Sequence, residues 1–310
     1  MGLRGVVGIL LLAGVLTVAG QEPVAVDTKI VAEQPLPDLA KLLARAKEKS
    51  DAMQELTKSY TCKEVVVADE FDSKGNKKGT HTNEYQVFFV EKHEIHQHVA
   101  RDGKPLSDED KKKEQERVDK YVADIRAHKV KEREGTVQLS ALIKLTTVSE
   151  PRREMLNGRP TVSFHYKGNP DAKANGTVEE VMKKLEGMIA VDEQDAAIVH
   201  LDGTLQENFH VMGGLLVNLK KGSHFSRDAS RINNEAWFTS EVKYHGDGRI
   251  LLFKGFDGDG HITFSDYRKM RTSVTLLPGS QVIGEDGKPI PNLTAEPEAE
   301  STPKQQSPQK

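Results

Sequence analysis

The chain has 310 residues, with 44 Lys and Arg against 47 Asp and Glu and a formal net charge of -3. So balanced a chain lacks the basic footprint that phosphate neutralisation needs, which argues against a nucleic-acid partner. Its single Cys excludes an internal disulfide and any Cys-rich zinc scaffold. Met1 to Gly20 begins with a short n-region carrying Arg4, runs through an apolar stretch from Val6 to Val18 and ends in the small residues Ala19 and Gly20, the anatomy of a secretory signal peptide. That stretch is short of the roughly 20 apolar residues a bilayer span takes. The mature protein is therefore expected to be exported and soluble, with no cysteine at the junction for lipid attachment.

Residues 21–34 show no periodicity and read as a flexible lead-in. Asp38 then opens a helix whose Leu39, Leu42, Leu43 and Ala46 share a face, with Met53 and Leu56 extending the stripe. After it the period changes to two. Tyr60 to Phe71 and Lys77 to Lys92 read as the arms of a hairpin around a Gly-Asn loop, followed by a third strand from His93 to Arg101. Cys62 falls in the first arm, where a small buried hydrophobe is the usual fate of a free thiol. A second helix is expected from Ser107 to about Lys131, opened by a Ser107/Asp110 capping box. Its charges cancel and its apolar seam is only Val118, Tyr121, Val122 and Ile125, so it is expected to be mostly solvated. Thr136 to Leu145 reads as a short helix or buried turn.

From Thr146 onward turn signals recur: Asn157-Gly158, Asp202-Gly203, Asn233-Asn234, Gly246-Asp247-Gly248 and Gly258-Asp259-Gly260. Between them lie strand patterns over 161–167, 187–191, 196–201, 206–212, 236–244, 249–256 and 261–268, with a helical insert from Val178 to Glu186. Strands that never alternate with helices in βαβ order mean an antiparallel sheet. The fold class is thus α+β: one large curled antiparallel sheet, a half-open β-barrel, with helices covering its concave face. That domain is expected to span 35–277. Residues 278–310, rich in Pro, Glu, Ser, Lys and Gln, read as a disordered tail, since they have too little apolar surface to offset the entropy of ordering.

Candidate chemistry is sparse. Glu94, His96 and His98 share one strand face, but their spacing is not the i, i+4 pair of a zinc-binding helix, and two strand neighbours supply only part of a metal shell. Residues 255–266 imitate an EF-hand loop, yet Gly255 occupies the first ligand position and Asp266 the twelfth, so a hairpin turn is preferred. No nucleophile elbow, Walker loop or dinucleotide fingerprint occurs. Val211 to Gly222, with Gly213-Gly214 before an aliphatic run, reads as a core strand, with a loop that touches lipid as the alternative. No catalytic residue, metal or cofactor is expected.

The order of signal, amphipathic helix, hairpins, inserted helix and long antiparallel sheet resembles the periplasmic lipoprotein-sorting proteins of the LolA/LolB-like superfamily. Stretches that carry the likeness include Ser59-Tyr60-Thr61-Cys62, Tyr85 to Val90, Asp102 to Ser107, Lys183 to Gly187, Gly213 to Leu216, Trp237 and Phe264 to Arg268, in the manner of an acidobacterial-type branch. The resemblance implies a non-catalytic periplasmic carrier that shelters lipoprotein acyl chains or other lipid in an apolar cavity, touching the membrane transiently. The alternating positions expected to line that cavity are Val87, Phe89, Val162, Phe164, Tyr166, Phe209, Val211, Phe238, Val242, Leu251, Phe253 and Phe264. The alternative is an envelope sensor or scaffold that uses the same fold to bind a protein partner.

Overall fold

A computed structural model describes residues 35–72, 76–130, 139–211, 217–250, 254–270, 275–277, 281–283 and 289–290. Helix α1 (Leu39–Thr57) starts at Asp38, whose carboxylate accepts from the Lys41 amide and satisfies one donor of the open first turn. It leads into β1 (Tyr60–Phe71), β2 (Lys77–Val90), β3 (His93–Arg101) and the short β4 (Lys104–Pro105). Helix α2 (Asp108–Arg126) is capped by Ser107. The Ser107 hydroxyl accepts from the Asp110 amide and donates to the Asp110 carboxylate, so the reciprocal bond is between side chains rather than back to an amide. Helix α3 (Leu139–Leu145) runs directly into β5 (Thr146–Leu156) and β6 (Arg159–Gly168), and α4 (Thr177–Met182) precedes β7 (Leu185–Asp192). The remaining strands are β8 (Ile198–Leu205), β9 (Phe209–Val211), β10 (Val217–Leu219), β11 (His224–Ile232), β12 (Ala236–Ile250) and β13 (Lys254–Lys269).

These strands form one antiparallel sheet of 13 strands in the order β4-β3-β2-β1-β13-β12-β11-β8-β7-β6-β5, with β10 joining β12 to β9. The last long strand, β13, pairs with the first, β1, so the two ends of the domain meet in the middle of the sheet. The outer strands β4 and β5 do not pair with each other, and the sheet stays open. This is the half-open α+β architecture that the alternation of patterns implies.

Leu42 and Ala46 of α1, Leu142 and Leu145 of α3 and Met182 of α4 pack on Val162, Phe164, Tyr166, Ile189 and Val191, and we call that side of the sheet the inner face. The other half of α1 sets Met53 and Leu56 against Tyr60, Phe238 and Tyr267, so the helix lies across the sheet. Helix α2 is placed differently. Its Val118, Val122 and Ile125 pack on Phe88, Val90 and Ile95, which alternate with Val87 and Phe89 and therefore belong to the outer face.

Three expected turns are strand interior instead. Gly246-Asp247-Gly248 continues β12, opposite Phe256 to Gly258 of β13, and Gly258-Asp259-Gly260 continues β13. Asp202-Gly203 lies within β8. The glycines there seat aromatic rings: a Cβ on Gly260 would stand 2.5 Å from the Tyr244 ring and one on Gly258 2.6 Å from that of Phe71, while Gly203 faces Phe225 and Tyr166. A glycine in a strand marks a close approach as well as a turn. Asn157-Gly158 and Asn233-Asn234 do turn the chain, with positive φ at all four residues.

β14 (Thr275–Leu277), at the expected end of the domain, pairs with β15 (Gln281–Ile283), which pairs with β16 (Pro289–Ile290); the last two lie in the stretch whose composition reads as a tail, and the three make a separate antiparallel sheet. Such backbone pairing is local in sequence and needs little loop closure.

Candidate functional site

Residues directly opposite each other on paired strands project to the same side. The register therefore traces one row across eight strands of the inner face: Phe164, Ile189, Leu201, Arg227, Val242, Ile262, Val66 and Asn83. Its character changes along the way. Phe164 and Ile189 are buried beneath the helices, Leu201, Arg227, Val242, Val66 and Asn83 are half-buried, and Ile262, between Val242 and Val66, is buried.

The residues expected to line a cavity divide accordingly. Val162, Phe164, Tyr166 and Phe209 are buried in the core that α1, α3 and α4 cover, so protein already occupies the space over them. Phe238 is enclosed in an aromatic cluster, its ring centroid 4.6 Å from those of both Tyr60 and Tyr267. Val87 is buried and Phe89 half-buried on the inner face. Val242 and Phe264 are half-buried on that same face, next to Phe225, Tyr244 and Val66, which the alternation did not single out. Val211 takes part in β9 through its backbone, and Leu251 and Phe253 lie outside the described residues. Of the glycine-rich apolar stretch, Met212 to Leu216 lie outside them too, and Val217 to Leu219 form β10.

In the middle of this partly open strip stands a cation. Arg227 donates from Nε to the Thr239 hydroxyl at 2.9 Å, and the Thr239 carbonyl in turn accepts from the Tyr267 hydroxyl at 2.6 Å. Burial pulls the Arg227 pKa below its ordinary value. Burial also pushes the Tyr244 hydroxyl up to about 12. The sequence pointed to none of this, because β11 carries a mixed pattern and only its pairing shows that Phe225 and Arg227 face inward.

On β3 the inner face becomes polar. His96 on β3 sets Nδ1 2.6 Å from the Glu64 carboxylate of β1, and its Nε2 is 3.6 Å from Glu94. His98 stacks on Tyr85 with centroids 5.0 Å apart. Glu94, His96 and His98 thus share a face, and Glu64 joins them from two strands away. Among the described residues no group of three or more His, Cys, Asp or Glu side chains is arranged to hold a metal ion. Cys62 is buried nearby, and burial, with Glu94 and Glu64 adding to it, pushes its thiol up to about 12. It is therefore a poor nucleophile at neutral pH.

The outer face of β8 to β13 is a field of paired charges: His200 bridges Asp228 and Asp202, His261 meets Glu241, and His245 meets Asp259. A surface pocket of about 540 Å³ sits elsewhere, between α4 and β9, lined by Thr177, Glu180, Lys184, Asn208, Phe209 and His210. Among the described residues no helix is long and apolar enough to cross a membrane.

No protein-family model matches the chain, and no curated protein does. Among solved structures, it is similar to the crystal structure of an outer membrane lipoprotein-sorting protein domain from Vibrio parahaemolyticus, at 10% sequence identity and a TM-score of 0.33 over 76% of this chain and 94% of that one.

Proposed function

We propose that this chain is a non-catalytic carrier, exported to the periplasm, that holds lipid or lipoprotein acyl chains against the inner face of its open sheet. The observation that carries this reading is the strip of Val66, Phe225, Val242, Tyr244 and Phe264, apolar or aromatic yet only half-buried, beside a part of the same face that is fully packed. Contiguous apolar surface that the protein covers only in part is commonly a binding surface. Each methylene of a chain laid on it gains about 0.8 kcal/mol when fully buried. An open sheet edge leaves a route by which the chain is surrendered.

Native mass spectrometry of freshly purified protein should find co-purified lipid. A fluorescent acyl probe should bind, and Phe264→Glu should abolish that binding while the fold is retained. Phe264 is the right position for the test, since a charge at the fully packed Phe164 would unfold the core. An unliganded protein whose Phe264→Glu variant handles the probe like wild type would favour the scaffold alternative instead.

A further inference from the structure

We infer that the cargo is an anionic amphiphile, with its carboxylate or phosphate head held by Arg227 and its chain lying along Val242 and Phe264; this rests on the carrier reading above. Arg227 projects from the centre of the inner face, directly opposite Leu201 on one neighbouring strand and Val242 on the other. Its single hydrogen bond among the described residues uses Nε, so the four N–H groups of its two terminal nitrogens are not spent on protein acceptors there. No carboxylate among the described residues pairs with it. The adjacent Asp228 projects to the outer face, where His200 takes it at 2.7 Å.

An unpaired cation on an apolar surface is costly, and proteins ordinarily neutralise such a group or keep it in water. Thr239, itself tied to Tyr267, holds the guanidinium in the strip rather than letting it swing to solvent. The planar fork that remains matches the geometry of a carboxylate or phosphate. A free inorganic anion would satisfy the charge but leave Val242 and Phe264 as they are. An anion with a hydrocarbon tail satisfies both.

The test compares a fluorescent fatty acid with its methyl ester on the full mature chain at neutral pH. Wild type should bind the acid about tenfold or more tightly than the ester, the range expected for a hydrogen bond to a charged group. Arg227→Gln should lose that preference, so that acid and ester bind alike, and Arg227→Lys should keep part of it. Inorganic phosphate at millimolar concentration should not displace the acid. Equal affinity of wild type for acid and ester would overturn the inference while leaving the carrier reading intact, as would an unaltered acid preference in Arg227→Gln. Displacement by inorganic phosphate alone would show a simple anion site. Failure of wild type to bind either probe would overturn the carrier reading and this inference with it. The wild-type comparison decides the matter even if Arg227→Gln does not fold.

Discussion

Glu64 and His96 meet across an intervening strand: the Glu64 carboxylate on β1 lies 2.6 Å from His96 Nδ1 on β3, with β2 running between them. The carboxylate is nearly buried and the imidazole about one-third exposed. Burial alone would lower the imidazole pKa, but Glu64 and then Glu94 outweigh it and raise His96 to about 10 from its ordinary 6.5.

A raised histidine pKa fixes the sign of a pH dependence. The protonated imidazole stabilises the fold fully below about pH 6.5, and that contribution drains away as pH rises toward about 10. His200, lifted to about 9 by Asp202 and Asp228, adds to the loss over the same window. Urea unfolding at pH 6, 8 and 10 should show falling stability, with a shallower fall in His96→Gln. Parallel profiles for wild type and variant would refute the pairing.

The glycine seats make a second prediction. Gly260→Ala places a methyl 2.5 Å from the Tyr244 ring, and overpacking of this kind costs about 1–3 kcal/mol. Adding Tyr244→Ala should recover part of that loss, because the obstruction is the ring itself. Additive losses in the double-mutant cycle would mean that Gly260 matters for some other reason.

Asp192 is fully buried and is held by Arg159 through two bonds, at 2.5 and 2.9 Å, and by the amides of Gln194 and Asp195. Arg159 also reaches Asp195, to which Trp237 donates its indole N–H. Removing one partner of such a pair strands a buried charge, at a cost of about 3–5 kcal/mol. Arg159→Met should therefore lower stability by about 3 kcal/mol in chemical denaturation. A change below about 0.5 kcal/mol, the range of ordinary surface substitutions, would show the network to be incidental.

Cys62 supplies a simple probe of opening. With its thiol buried and its pKa pushed up to about 12, it should resist a thiol reagent at pH 7 in the native state and react at once in denaturant. Prompt labelling of native protein would mean that the strand region around β1 opens readily.

Local pattern reached a long way. The sequence expectation for β1 and β3 matches the strands at both ends, because period-two alternation bounded by turn residues is a short-range signal. The α2 seam of Val118, Tyr121, Val122 and Ile125 is likewise the surface that packs. It failed at Gly203, Gly258 and Gly260, where glycine meant a ring overhead, since nothing near those residues in sequence names Phe225, Phe71 or Tyr244 as the partner. The candidate site was legible only in part: Val242 and Phe264 were singled out, while Arg227 was not.

The amino-acid order by itself determined the two long helices, the strands β1 to β3 and the antiparallel character of the sheet, because hydrophobic period, caps and turn residues act within a few positions along the chain. Only the tertiary structure decided which apolar residues are sealed and which stay open. Phe164 and Val242 look alike in a strand pattern, and they differ because α1, α3 and α4 cover one while the other stands beside an arginine on the same row. Helix α2 lies on the opposite face for the same reason: the side a helix covers depends on register between strands distant in sequence, and a shift of one residue exchanges the two faces.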